Sequence, residues 1–284
     1  MQSSNPVFRR SEGFNGKSTT SGMSYPAYGT QTQTDPYGRG RQEAPVYTGP
    51  STDARMTIDS VVQKTGMTLG LTILVAIATW VLTPDPGTGA DAGSLYLLLM
   101  VGAFGGFALS MVNSFKRVIS PALVLVYAAL EGLFVGAFSK VIDASFGGPD
   151  GNGLIVGAVA GTFAAVAGTL AAYKFFNIRV SPTFRKWIVG AMLGFVAVAL
   201  LDVVLGFFGS SFGFNGFGPM GLLSSVIGLG LGVLMLILDF DFVERGIEAG
   251  LPERESWRAA FGLTVTIIWI YVELLRILAI LRGD

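Results

Sequence analysis

Residues 94–142 read SLYLLLMVGAFGGFALSMVNSFKRVISPALVLVYAALEGLFVGAFSKVI, and this stretch decides the fold. It holds two apolar runs, 94–113 and 121–142, each near the ~20 residues a helix needs to cross a hydrocarbon core about 30 Å thick. The short break between them carries Lys116 and Arg117 beside Ser120 and Pro121. The same alternation extends both ways from Met56 onward, giving further runs at 66–83, 153–173, 187–208, 219–242 and 261–281. Most breaks contain Gly or Pro stops. No strand-like alternation and no ten-residue barrel period competes with them. The reading is an all-α fold, a polytopic bundle of seven membrane-spanning helices, because in lipid a helix satisfies every backbone group within its own segment.

Composition agrees. The 284 residues are 51% hydrophobic and only 13% charged, well below the roughly 25% charged residues of soluble domains. Cys and His are both absent, which excludes thiol nucleophiles, disulfides, Fe–S clusters, His-ligated metals and Ser-His-Asp hydrolysis. Nineteen basic and nineteen acidic side chains cancel, so no overall field points to nucleic acid, and the placement of charges carries the information.

Basic residues mark every second break: Lys116 and Arg117, then Lys174, Arg179, Arg185 and Lys186, then Arg245, Arg254 and Arg258. The positive-inside rule therefore puts the N-terminus in the cytoplasm and, after an odd number of spans, the C-terminus outside. Lys140 and Arg282 depart from this pattern. Residues 1–55 have no apolar period and six basic against four acidic side chains, which reads as a disordered cytoplasmic tail beside an anionic leaflet, ahead of the transmembrane domain 56–284. The first thirty positions lack the apolar core of a signal peptide. Residues 56–64, with Met56, Ile58, Val61 and Val62 beside charged neighbours, read as an interfacial helix leading into the first span. The pairs Gly102/Gly106, Gly132/Gly136, Gly157/Gly161 and Gly190/Gly194 predict close packing inside one bundle. Gly228, Gly230 and Gly232 would allow a bend in span six.

Charge inside a span costs about 2.5–3.5 kcal/mol at the centre, so each instance needs a partner, water or a function. The candidates are Glu131 in span three, Asp202 in span five, Asp239 and Asp241 near the inner end of span six, and Glu273 with Arg276 in span seven. Arg276 is placed either to snorkel outward or to pair with Glu273 three residues away. Counting 1.5 Å per residue puts Asp239 roughly 5 Å, Glu131 14 Å, Glu273 17 Å and Asp202 21 Å above the inner boundary. If the helices face a common interior, three acids share its middle and Asp239 guards its cytoplasmic mouth. Oxygen-only ligands suit hard cations such as Ca²⁺, and carboxylates sharing one site would make such a path sensitive to pH. Enzyme readings lack their parts. Asp202 and Asp239 have no GxGD pattern around them, a rhomboid-like site needs His, and GLGLG at 228–232 lacks the Lys-Ser/Thr of a phosphate loop. No enzyme and no cofactor are expected.

The run GAFGGFALSMVNSFKRVISP (102–121), YAALEGLFVG (127–136), LILDFDFVERG (236–246) and IYVELLRILAILRG (270–283), in this order, resembles the Bax inhibitor-1 family, specifically its bacterial branch. The resemblance covers about residues 60–284 and leaves the tail outside. It implies a pH-sensitive calcium leak channel of the bacterial plasma membrane. In that scheme an acid ending span six shares a proton with an acid in span seven, and a basic residue ending span two latches them. Asp239 matches the span-six acid. IYVELLRIL nominates Glu273 as its partner, whereas an ungapped match from Trp257 puts Thr266 there. Asp239 and Glu273 would then supply carboxylates to a passing calcium ion, with Asp241, Asp202 and Glu131 as further pore acids and Lys116 and Arg117 as latch candidates. The rival reading is a non-channel regulator that binds a membrane quality-control protease or other membrane proteins through the tail and lateral helix faces.

Overall fold

The computed structural model describes residues 54–86, 93–148, 153–176 and 178–283. The expected disordered tail lies outside the described residues except for its last two positions. The helices are α1 (Ile58–Leu82), α2 (Gly93–Phe115), α3 (Pro121–Phe146), α4 (Gly153–Phe175), α5 (Pro182–Phe207), α6 (Pro219–Glu248) and α7 (Glu255–Gly283). All seven are long and apolar enough to cross a membrane, and no strand occurs among the described residues beyond one isolated bridge between Arg55 and Pro252.

Local chemistry sets the helix starts. Thr57 and Ser60 form a capping box, each side chain accepting from the other's backbone N–H at 3.1 Å. Proline stands in the first turn of α3, α5 and α6, where its missing donor costs nothing. Because the Thr57 cap lies upstream of the apolar run, residues 58–64 continue straight into α1. The expected separate interfacial helix is thus the first two turns of the span. Gly250, at φ +63°, turns the chain from α6 into α7. Against that turn Met56 N–H donates to the Leu251 carbonyl at 2.8 Å and Glu253 N–H to the Ala54 carbonyl at 2.7 Å, tying the start of α1 to the start of α7.

Cross-helix contacts fix the directions. Lys140 on α3 reaches the end of α1, Thr68 of α1 meets Thr264 of α7 at 2.7 Å, and Arg185 of α5 meets Asp241 of α6. Helices α1, α3, α5 and α7 therefore start at one end of the bundle, the end that carries Lys116, Arg117, Arg185, Arg245 and Arg258, called the basic end below. The others start at the far end. Helix α7 is the most buried and packs against α1, α3, α4 and α6, while α2 lies outside on α3 and α5 outside on α6. Outward faces carry exposed Leu74, Phe104, Phe163 and Leu193, suited to lipid tails.

Glycines make the tightest of these contacts. A Cβ on Gly102 would lie 2.5 Å from the Phe134 backbone of α3, and one on Gly136 2.5 Å from the Ala76 carbonyl of α1. Gly157 and Gly161 seat Leu278 and Leu274 of α7. Gly190 and Gly194 depart from expectation: a Cβ on either meets nothing within 4 Å, because they lie on the peripheral helix α5. Helix α6 passes through Gly228, Gly230 and Gly232 without interruption.

Candidate functional site

The intramembrane charges fall into separate settings, distinguished by what compensates each. Near the basic end, the Asp239 carboxylate of α6 faces α7 where Gly262 leaves room, its Oδ1 lying 3.3 Å from where a Cβ on Gly262 would stand. Its other oxygen accepts a hydrogen bond from the Thr266 hydroxyl at 2.6 Å. No Lys or Arg among the described residues lies within ion-pair distance of it. Of the two span-seven positions considered for this partnership, Thr266 makes the contact. Glu273 lies seven residues further along α7, about 10 Å at a helical rise of 1.5 Å per residue.

Asp241, two residues from Asp239, faces the other way. It is 4% exposed, and receives the Arg185 guanidinium at 2.6 Å and that of Arg245 at 2.9 Å. Arg245 also donates to the Val180 carbonyl at 2.6 Å, so this carboxylate clamps the start of α5 to α6. Two positions along a helix turn a side chain by about 200°, which separates the two acids completely.

Glu273 is buried and pairs with Arg276, also buried, at 3.2 Å. Its carboxylate lies against Gly228 of α6, where a Cβ would approach Oε1 to 2.7 Å. Asp202 sits at the far end and is enclosed by the loop after α5. It accepts from the backbone N–H groups of Phe212 and Asn215 at 2.9 Å each, from the Asn215 amide at 3.1 Å and from the Ser211 hydroxyl at 3.1 Å. Glu131 of α3 faces Gly106 of α2, with Tyr127 one turn before it. The structure therefore does not bring Glu131, Asp202 and Glu273 together in a shared interior, and no group of three or more acids poised to hold a metal occurs among the described residues.

The side chains of Lys116 and Arg117 are exposed and make no ion pair with Asp239. Their backbone carbonyls are held instead by Arg258, which donates to Arg117 O at 2.8 Å and pairs with Glu255 at 2.6 Å. Arg258 thus joins the α2–α3 turn to the start of α7.

Other residues at work here were given no role in the reading of the sequence. Lys64 is buried and pairs with Glu253 at 2.8 Å. Thr68, Thr72, Thr79 and Thr83 turn a hydroxyl stripe of α1 inward, with Thr72 donating to the Ala128 carbonyl at 3.0 Å. Their spacings of four, seven and four were visible as one helical face. Lys140 caps α1, donating to the carbonyls of Trp80 and Thr83 and pairing with Asp85 at 2.8 Å, where the negative end of a helix favours a cation. Its departure from the charge pattern has this structural cause.

Seven apolar helices, six of them arranged about the core helix α7 with its buried charges, define a multi-pass membrane protein. The chain matches the Bax inhibitor 1 like family over residues 5–283 and belongs to that family. The match begins within the tail, so it takes in the segment that the motif resemblance left outside. No curated protein matches the chain.

Proposed function

We propose that this protein is a cation leak pathway of the bacterial plasma membrane, passing Ca²⁺ or related hard cations, with Asp239 as the group that titrates and guides them. The observation that carries this reading is the state of Asp239. Asp241 has two guanidinium partners, Glu273 has Arg276 and Asp202 has four donors, whereas Asp239 has one hydroxyl donor and no cation. Among the intramembrane acids it shares that state only with Glu131 beside Tyr127, and of these two Asp239 is the one near the basic end. An acid left so inside an apolar bundle holds a proton or attracts a cation, and intramembrane acids of this kind mark ion or proton paths. A carboxylate beside a hydroxyl offers the oxygen ligands that hard cations prefer. One such site binds weakly, which suits a leak, since conduction needs a site that releases its ion.

The sign of the pH response follows from the missing latch. With neither Lys116 nor Arg117 paired to Asp239, protonation removes the negative charge that draws the cation in. Flux therefore falls as pH drops. The test is Ca²⁺ entry into dye-loaded proteoliposomes between pH 6 and 8. Wild type should exceed empty liposomes and conduct more at pH 8, and Asp239→Asn should be low and flat across the range. Wild-type flux no greater than that of empty liposomes would remove the channel reading. Greater flux at pH 6 than at pH 8 would show instead that a base latches Asp239 and that protonation releases it.

A further inference from the structure

We propose that Arg276 is a built-in counter-cation that closes the far end of the bundle, occupying the Glu273 carboxylate that a free cation would otherwise reach and latching the α5–α6 loop over it. The cation-excluding half of this proposal rests on the cation-path reading above; the latch does not.

Two hydrogen bonds and an ion pair converge on this one side chain. Arg276 is 7% exposed. Its Nη1 meets Glu273 Oε2 at 3.2 Å, while Nη2 donates to the loop carbonyls of Phe214 at 3.0 Å and Gly216 at 3.2 Å. The guanidinium thus spends one nitrogen on the buried acid and the other on the loop, a division that suits its planar fork of donors.

The loop is gripped from its other side by the Asp202 carboxylate, which takes its N–H groups while Arg276 takes its carbonyls. Asn215 adds a bond to the Ala199 carbonyl at 2.8 Å and the Ser224 hydroxyl donates to Phe214 O. Phe214 packs on Phe195 with ring centroids 5.0 Å apart, and Phe217 on Phe146 at 4.9 Å. Phe195 in turn meets Trp269 of α7, whose indole N–H donates to the Gly228 carbonyl at 2.9 Å. Loop, Arg276 and the Gly228–Glu273 contact therefore form one connected plug. A fixed guanidinium at such a constriction repels free cations, so it acts as an electrostatic barrier as well as a tie.

A chain without cysteine allows a direct test. Ser225 of α6 is fully buried and borders Glu273, so Ser225→Cys reports access to this pocket by a small cationic, membrane-impermeant thiol reagent supplied on both faces. Labelling should be slow with Arg276 present and at least about tenfold faster in Arg276→Gln. The double variant Glu273→Gln/Arg276→Gln leaves no unpaired buried charge, and so keeps the test open should the single variant fail to fold. Cation flux in proteoliposomes should rise several-fold in the same variants. Labelling as slow in the double variant as in the parent would overturn the latch, and accelerated labelling without added flux would overturn the barrier. Absence of wild-type flux would remove the channel reading instead, and labelling would then decide the latch on its own.

Discussion

Asp239 and Asp241 are two residues apart and differ in everything that surrounds them. Asp241 is bound by Arg185 and Arg245, so its removal leaves two guanidinium groups facing each other without an anion. Asp241→Ala should cost about 1–3 kcal/mol, read as a lower thermal midpoint in detergent, and should keep the wild-type pH profile of flux. A destabilised variant that also loses the profile would place Asp241 in the ion path. At this scale the sequence was informative about which residues to watch. It offered the Glu273–Arg276 pair and Thr266 opposite Asp239 as alternatives, but it did not show the guanidinium partners of Asp241 or the loop donors of Asp202. The cost of charge in lipid singles out Glu131, Asp202, Asp239, Asp241, Glu273 and Arg276 by type and depth. Whether Glu273 or Thr266 faces Asp239 depends on where α6 and α7 cross, and the register of that crossing is set by Gly262 and the Gly250 turn rather than by any local pattern.

Among the helices, the apolar runs located every span, because hydropathy over about 20 residues needs no tertiary knowledge. Ends were harder. Helices α1, α6 and α7 each run several residues beyond the apolar stretch, since capping and polar contacts at the basic end, such as Ser60 with Ser256 at 2.7 Å, hold turns that hydropathy does not register. Small-residue pairs showed the same limit. Gly136 lies under Ala76 of α1, while Gly190 opposes nothing, and both carry an identical four-residue spacing. Gly136→Ala should therefore destabilise the bundle by about 1–3 kcal/mol through overpacking. Gly190→Ala should be neutral or stabilise by up to about 1 kcal/mol through helix propensity. Thermal unfolding of the two variants in detergent checks this, and equal losses would mean that α5 packs elsewhere in the membrane.

For the whole molecule, charge segregation and helix direction agree. The helix starts at the basic end gather Lys116, Arg117, Arg185 and Arg258, while the far end carries the loop that Asp202 and Arg276 hold. The positive-inside rule then predicts that the basic end faces the cytoplasm. Single cysteines at the exposed positions Arg117 and Ser211 should label from opposite faces of intact cells, Arg117→Cys only after permeabilisation. Labelling of Arg117→Cys in unbroken cells would invert the topology, and with it the face from which Asp239 is reached. On the proposed reading such an arrangement would separate two tasks, with Asp239 at the basic end setting the response to pH and Arg276 at the far end setting how much leaks. The most direct measurement of that division is Ca²⁺ flux in proteoliposomes from pH 6 to 8 for Asp239→Asn beside Glu273→Gln. Asp239→Asn should abolish the pH dependence while Glu273→Gln retains it. A pH dependence lost in Glu273→Gln and kept in Asp239→Asn would contradict the division.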